Sequence, residues 1–239
     1  MSHTSHTSQS LLAVQGIAKA YGRFRRHQVL REITFTIAPG ALVGIVGENG
    51  AGKSTLLNIL AGALRPDRGR VVLDGALGYC PQEAILNETL TVAQHLAYFA
   101  AAYGIHDLRR ADDLLNRLAF QQYRDAVVGT LSGGTKQKLN LTLALMHDPR
   151  VLLLDEPYQG FDWETYLRFW DLAAELRARG CAVLIISHLL FDQQRFDALY
   201  QLRDGQLHIQ TIPGAAAATA SIASIASIAA APSTEEVRP

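Results

Sequence analysis

The 239-residue chain is 49% hydrophobic and 18% charged, so it can bury a core, and its length suits one α/β domain with a helical insertion. Its 22 Lys and Arg balance 22 Asp and Glu, and the formal net charge of zero supplies no global basic field for nucleic acid or a membrane surface. Cys80 and Cys181 lie far apart, make no C-x-x-C motif, and read as reduced structural thiols of a cytosolic protein.

The opening MSHTSHTSQS lacks the charged and apolar regions of a signal peptide, so residues 1–10 are expected to be a flexible tail. Residues 41–46, ALVGIV, read as a buried strand, and residues 54–64 carry helix formers at apolar spacing. Between them stands GENGAGKST, residues 47–55, which fits G-x-x-x-x-G-K-[ST] through Gly47, Gly52, Lys53 and Ser54. A phosphate chain needs a loop whose backbone N–H groups turn inward, and glycines at 47, 50 and 52 permit that. The helix that follows puts its positive dipole end at the phosphates, where Lys53 adds a full charge and Ser54 can ligate Mg²⁺. A plain glycine-rich turn is the bland alternative, and the context of strand, loop and helix argues against it.

Residues 69–78 read as a hairpin segment and residues 78–80 as strand-like, followed by Gln82. Thr91 and Gln94 form a T-x-x-Q capping box that opens an alanine-rich helix through Ala102, and residues 112–120 read as a second helix. In LSGGTKQKL, residues 131–139, Ser132 is a favourable N-cap, and the helix beginning near Gly133 points free N–H groups outward as a second anion site. Taken alone, that tetrapeptide reads as a helix cap with no ligand.

Val151–Asp155, VLLLD, is an unbroken apolar run ending in a carboxylate, the pattern of a central parallel strand buried on both faces whose carboxyl end meets ligands. Asp155 is placed to hold Mg²⁺ through its water shell, and Glu156 to act on an attacking water as general base; the pair's other reading is two solvated acids at a strand end. Ala182–Ser187 is a further apolar strand ending at His188, a position where histidines are commonly just capped by hydrogen bonds. Residues 215–231 are rich in Ala, Ser and Thr, with Ile222, Ile225 and Ile228 three apart, and read as a low-complexity tail rather than a membrane span.

In this order the motifs resemble those of ATP-binding cassette (ABC) ATPases, over nearly all of residues 11–210, and Leu131, Ser132, Gly133 and Gly134 separate that family from other P-loop NTPases. The resemblance implies an α/β, P-loop NTPase fold: a RecA-like core with an antiparallel β subdomain, and a helical ABC subdomain at about residues 83–147. The nucleotide-binding domain would span residues 11–212, between tails at 1–10 and 213–239. It also implies ATP and Mg²⁺ as ligands. Gly47, Glu48, Asn49, Gly50, Ala51, Gly52, Lys53, Ser54 and Thr55 surround the phosphates, Tyr21 stacks on adenine with Phe24 as the nearby rival, and Ser54, Gln82 and Asp155 face the metal. Glu156, His188, Lys53 and Gln82 take the catalytic roles.

In the family the LSGG residues contact the γ-phosphate bound to a facing subunit, so that two cassettes close head to tail over two nucleotides. Gly160, Phe161 and Asp162 fit the loop that crosses this interface, with Phe161 where leucine is commoner. Thr135 stands where glutamine often follows the signature, and the 69–78 segment is shorter than in most relatives.

Residues 90–105, LTVAQHLAYFAAAYGI, are similar to cassettes of exporters whose ATPase and membrane subunits are separate chains, although an ordinary amphipathic helical subdomain has the same periodicity. The expectation is an ATP-hydrolysing transporter subunit, with no nucleic acid as partner, that pairs with a second cassette as homo- or heterodimer and drives export through a separate transmembrane permease from the inner face of the cell membrane. A soluble ABC ATPase of translation, DNA repair or iron–sulfur assembly is the alternative; tandem cassettes or a long coiled-coil insertion would have favoured the first two. A cassette that binds without hydrolysing is disfavoured by Lys53, Asp155, Glu156 and His188. Glu83, Ile85 and Leu86 are expected to line a groove for a short helix of the permease, unless Leu86 is a core residue.

Overall fold

A computed structural model of the chain describes residues 10–22, 26–83, 85–188 and 192–212; Phe24 and the low-complexity run 215–231 lie outside the described residues. In chain order the elements are β1 (Leu12–Tyr21), β2 (His27–Ile37), β3 (Leu42–Val46), α1 (Lys53–Leu60), β4 (Arg68–Leu73), β5 (Leu77–Cys80), α2 (Val92–Tyr103), α3 (Arg109–Arg117), α4 (Gly133–Leu145), β6 (Val151–Asp155), α5 (Trp163–Ala178), β7 (Ala182–Ser187), β8 (Ala198–Arg203) and β9 (Gln206–Gln210). Two sheets form. A three-stranded antiparallel sheet has the order β2-β1-β4, and a six-stranded sheet has the order β5-β6-β7-β3-β8-β9, parallel except for the β8–β9 pair.

The apolar runs at β6 and β7 are unbroken because both faces of these strands are covered. Leu152, Leu154, Val183 and Ile185 point into a core shared with α2 to α5, whereas Val151, Leu153, Leu184 and Ile186 point into a second core with α1 and the antiparallel sheet. Burying one such side chain contributes about 1.5 to 3 kcal/mol, so the two cores hold the parallel sheet rigidly between two layers.

The structure refines three sequence expectations and bears out a fourth. The α1 helix stops at Leu60 rather than running to residue 64, because the chain turns at Gly62 in the left-handed region and Leu64 N–H donates back to the Asn58 carbonyl. The segment 69–78 is not a hairpin: β4 pairs with β1 in one sheet and β5 with β6 in the other, so the chain crosses between layers there. Helix α3 begins at Arg109 instead of 112, where Asp107 accepts the Arg109 backbone N–H at 2.9 Å, and ends before Phe120, which is fully buried in the core. The capping box is present as read: Gln94 N–H donates to Thr91 Oγ1 at 3.2 Å and Thr91 N–H to Gln94 Oε1 at 2.8 Å, after which α2 runs to Tyr103.

Candidate functional site

Because β3, β5, β6 and β7 are parallel and in register, their carboxyl ends reach one rim of the sheet. Cys80 lies opposite Leu154, Asp155 opposite Ile186, and Val46 opposite Ser187. Residues that follow these strands, distant in sequence, therefore emerge side by side. Lys53, Ser54, Gln82, Asp155, Glu156 and His188 line one cleft of about 540 Å³, together with Asn49, Gly50, Gly52 and Thr55.

The 47–55 loop owes its shape to its glycines and to Lys53. Gly52 is left-handed, with φ 103°, and a Cβ there would sit 2.9 Å from Val29 Cγ1, so no other residue fits without displacement. Gly52 caps α1 without any side-chain hydrogen bond, which leaves the N–H groups of the first turn open to an anion. Lys53 folds back over the loop, its Nζ donating to the Gly47 carbonyl at 2.6 Å and the Glu48 carbonyl at 3.0 Å. Tyr21 stands near the loop's far end: its hydroxyl is 3.5 Å from Thr55 Oγ1, the residue is 44% exposed, and Lys19 Nζ lies 5.9 Å from the ring centroid. Glu48 and Ala51 line an adjoining cleft instead, with Asn49 and Gly50 shared between the two.

Glu156 is strained into place. It has φ 47°, and its N–H donates to the Ile186 carbonyl at 2.9 Å across to β7. Its side chain is buried and accepts three hydrogen bonds: Oε2 from Ser187 Oγ at 2.6 Å, and Oε1 from the His188 backbone N–H at 2.6 Å and His188 Nδ1 at 2.7 Å. An ionised carboxylate only accepts, so the His188 Nδ1 contact is a hydrogen bond in the tautomer that carries its proton on Nδ1. Neighbouring Asp155 is also buried, and burial followed by the Glu156 charge pushes its pKa up to about 6, against the pull of Lys53. A bound cation would relieve that penalty.

The Ser54 hydroxyl, the Gln82 side-chain carbonyl and the Asp155 carboxylate are hard oxygen donors of the kind Mg²⁺ takes. Among the described residues no group of three or more His, Cys, Asp or Glu could hold a metal by itself. The donor set therefore fits a cation that takes its remaining ligands from phosphate oxygens and water.

Leu131, Ser132, Gly133 and Gly134 do not line this cleft. They form the start of α4, where Ser132 Oγ accepts the Thr135 N–H at 3.2 Å. Asp162 caps α5 in the same way, its Oδ1 accepting the Thr165 N–H at 2.7 Å, while Phe161 packs partly buried on the core. The single chain thus gathers one set of predicted residues and holds the LSGG set apart.

Sequence reading missed Ser187, which pins Glu156, and Gln159, His27 and Val29 of the cleft wall. Ser187 carried a signal, as the one polar residue ending an apolar strand beside His188; the others carried none.

The family model for ABC transporters matches residues 30–159 of the chain. The lipopolysaccharide export system ATP-binding protein LptB of Acidithiobacillus ferridurans is 33% identical, over 82% of this chain and 88% of that protein. The Nod factor export ATP-binding protein I of Rhizobium sp. (strain N33) is 31% identical, over 87% of this chain and 73% of that protein. Other relatives are far longer, and the chain spans 28% of their length or less. Among solved structures, the ATP-binding subunit of an ABC transporter superposes with a TM-score of 0.79 at 26% identity, covering 91% of this chain and 100% of that one. A dimeric bacterial ABC transporter cassette shares the fold, with a TM-score of 0.76 at 22% identity, covering 85% of this chain and 99% of that one.

Proposed function

Because the chain belongs to the ABC transporter family, we propose that it is the ATP-binding and ATP-hydrolysing subunit of an exporter whose membrane-spanning part is a separate chain. The observation that supports this most is the single cleft lined by Lys53, Ser54, Gln82, Asp155, Glu156 and His188. Two relatives that the chain covers over 88% and 73% of their length bear names of export systems. No helix among the described residues is long and apolar enough to cross a membrane, so transport calls for a membrane partner.

In this reading the β- and γ-phosphates of ATP rest on the 47–55 loop and the open N–H groups of α1, with Lys53 Nζ as counter-charge. Tyr21 offers its ring to the adenine. Water attacks the γ-phosphorus, Glu156 takes its proton, and the bond to the β–γ bridging oxygen breaks, leaving ADP and phosphate. Ser187 and His188 orient the Glu156 carboxylate. Mg²⁺, when bound through Ser54, Gln82 and Asp155, neutralises phosphate charge. Ser132, Gly133 and Gly134 would meet the nucleotide of a second cassette, which accounts for their distance from this chain's own cleft. We assign residues 11–212 to the nucleotide-binding domain and about 83–147 to its helical subdomain.

The test is turnover by the purified chain with Mg²⁺. Glu156→Gln is expected to keep ATP binding and to lower hydrolysis by about 10² to 10⁴. Near-normal turnover in that variant would overturn the assignment. Copurification of the native chain with an integral membrane protein tests the transporter role.

A further inference from the structure

The start of α4 belongs to the LSGG segment, yet two amide side chains farther along that helix are buried in a largely apolar core. Gln137 is 5% exposed and Asn140 is 6% exposed, flanked by buried Leu139, Leu141 and Leu143. Buried amides persist where their hydrogen bonds are met, so their partners disclose their task. Asn140 Nδ2 donates to the Pro81 carbonyl at 2.7 Å and to Gln137 Oε1 at 3.4 Å. Gln137 Nε2 in turn reaches the Pro157 carbonyl at 3.5 Å and Cys80 Sγ at 3.7 Å.

Pro81 precedes Gln82, and Pro157 follows Glu156. Both carbonyls lie just beyond the strand ends, past the last paired residues Cys80 and Asp155, where the sheet ladder offers them nothing. The helix is close enough to serve both because it sits directly on β5: a Cβ on Gly78 would lie 2.3 Å from the Ala144 carbonyl oxygen. One relay, from Pro81 through Asn140 and Gln137 to Pro157, thus joins the two catalytic loops to the helix that begins at Ser132.

We infer that Asn140, acting with Gln137, is a positioning residue for ATP hydrolysis: it ties the Gln82 loop to α4, so that Gln82 and Glu156 keep one spacing and move with the LSGG helix. This rests on the assignment of Gln82 and Glu156 to the catalytic cleft. It adds to that assignment a residue that touches neither nucleotide nor cation. Without the Asn140 donor, the part-buried Pro81 carbonyl loses this partner, and the loop shifts to find another.

Asn140→Leu and Asn140→Asp both remove the donor at similar size, the second presenting an acceptor to the Pro81 carbonyl. Thr142→Val is the control, since Thr142 is fully buried on the same helix but its hydroxyl, among the described residues, bonds the Lys138 carbonyl of its own turn and neither catalytic loop. Full-length variants are compared for thermal melting, ATP KM and kcat with Mg²⁺. The expected result is a kcat lowered roughly tenfold to a hundredfold in the folded Asn140 variants, with KM changed less than about threefold and Thr142→Val near wild type in both, as for a misplaced catalytic group. If Asn140→Leu fails to fold at the assay temperature, Asn140→Asp decides.

A kcat within about twofold of wild type in the folded variant overturns the inference, and so does an equal loss in Thr142→Val, which marks simple destabilisation. Glu156→Gln measured alongside separates the two claims. If that variant hydrolyses ATP normally the site assignment fails, whereas if it is inactive while the Asn140 variants are normal, only the positioning role fails.

Discussion

Gly134 rests against Gly160 so closely that a Cβ at 134 would lie 2.3 Å from the Gly160 carbonyl oxygen. The LSGG helix and the loop four residues beyond Glu156 are therefore in backbone contact. Gly133, one residue earlier, has nothing within 4 Å of its Cβ position. Gly134→Ala is expected to lower the melting temperature by several degrees through this overpacking, whereas Gly133→Ala stays within about 0.5 kcal/mol of wild type. Parallel thermal melts of the two variants check the contrast.

Ser187 and Glu156 form the next testable pair. Loss of a buried hydrogen bond to a charged group costs about 1.5 to 3 kcal/mol, and Ser187→Ala removes the donor that holds Oε2. Turnover is expected to fall by tenfold or more while ATP affinity changes little. Equal loss of binding in a nucleotide titration would place Ser187 in a general structural role instead.

Ser132 lies outside the cleft of its own chain, so under the proposed function it would meet the nucleotide held by a second cassette. In a Glu156→Gln background, ATP with Mg²⁺ is expected to shift the chain from monomer to dimer in sedimentation, and Ser132→Arg to abolish that shift. A chain that stays monomeric with and without ATP counts against an interface formed by this protein alone.

Ile85 and Leu86 part company in the structure. Ile85 is 91% exposed, while Leu86 is half-buried against the core of the helical layer. Ile85→Glu is therefore expected to keep the fold and the basal ATPase rate but to weaken capture of the membrane partner, and Leu86→Glu to lower the melting temperature itself. An unstable Ile85→Glu would refute the docking role.

Asp162 makes a pH-dependent contribution. The Thr165 backbone N–H, followed by the Thr165 side chain, holds its carboxyl below the ordinary value. A depressed folded pKa means that the cap stabilises fully above the unfolded value of about 3.9 and that this stabilisation is lost as pH falls through the folded value. Asp162→Asn, which caps without titrating, is expected to flatten the acid limb of the melting-temperature profile. An unchanged limb removes Asp162 from the acid response.

Local chemistry made much of this protein legible from its sequence. The glycine loop with Lys53, the strands ending at Asp155 and His188, the Thr91 capping box and the Ser132 cap each depend on neighbours within a few residues, where dihedral preference, periodicity and short-range hydrogen bonds act. Tertiary structure alone decided how those pieces meet. That β4 and β5 belong to different sheets, that Ser187 pins Glu156, that Gly134 abuts Gly160, and that Asn140 reaches the Pro81 carbonyl all arise from packing between segments tens of residues apart. Periodicity marks which face of an element is buried, but the partner on the other side of that face is set by the register of the sheet and the close seating of α4 upon it.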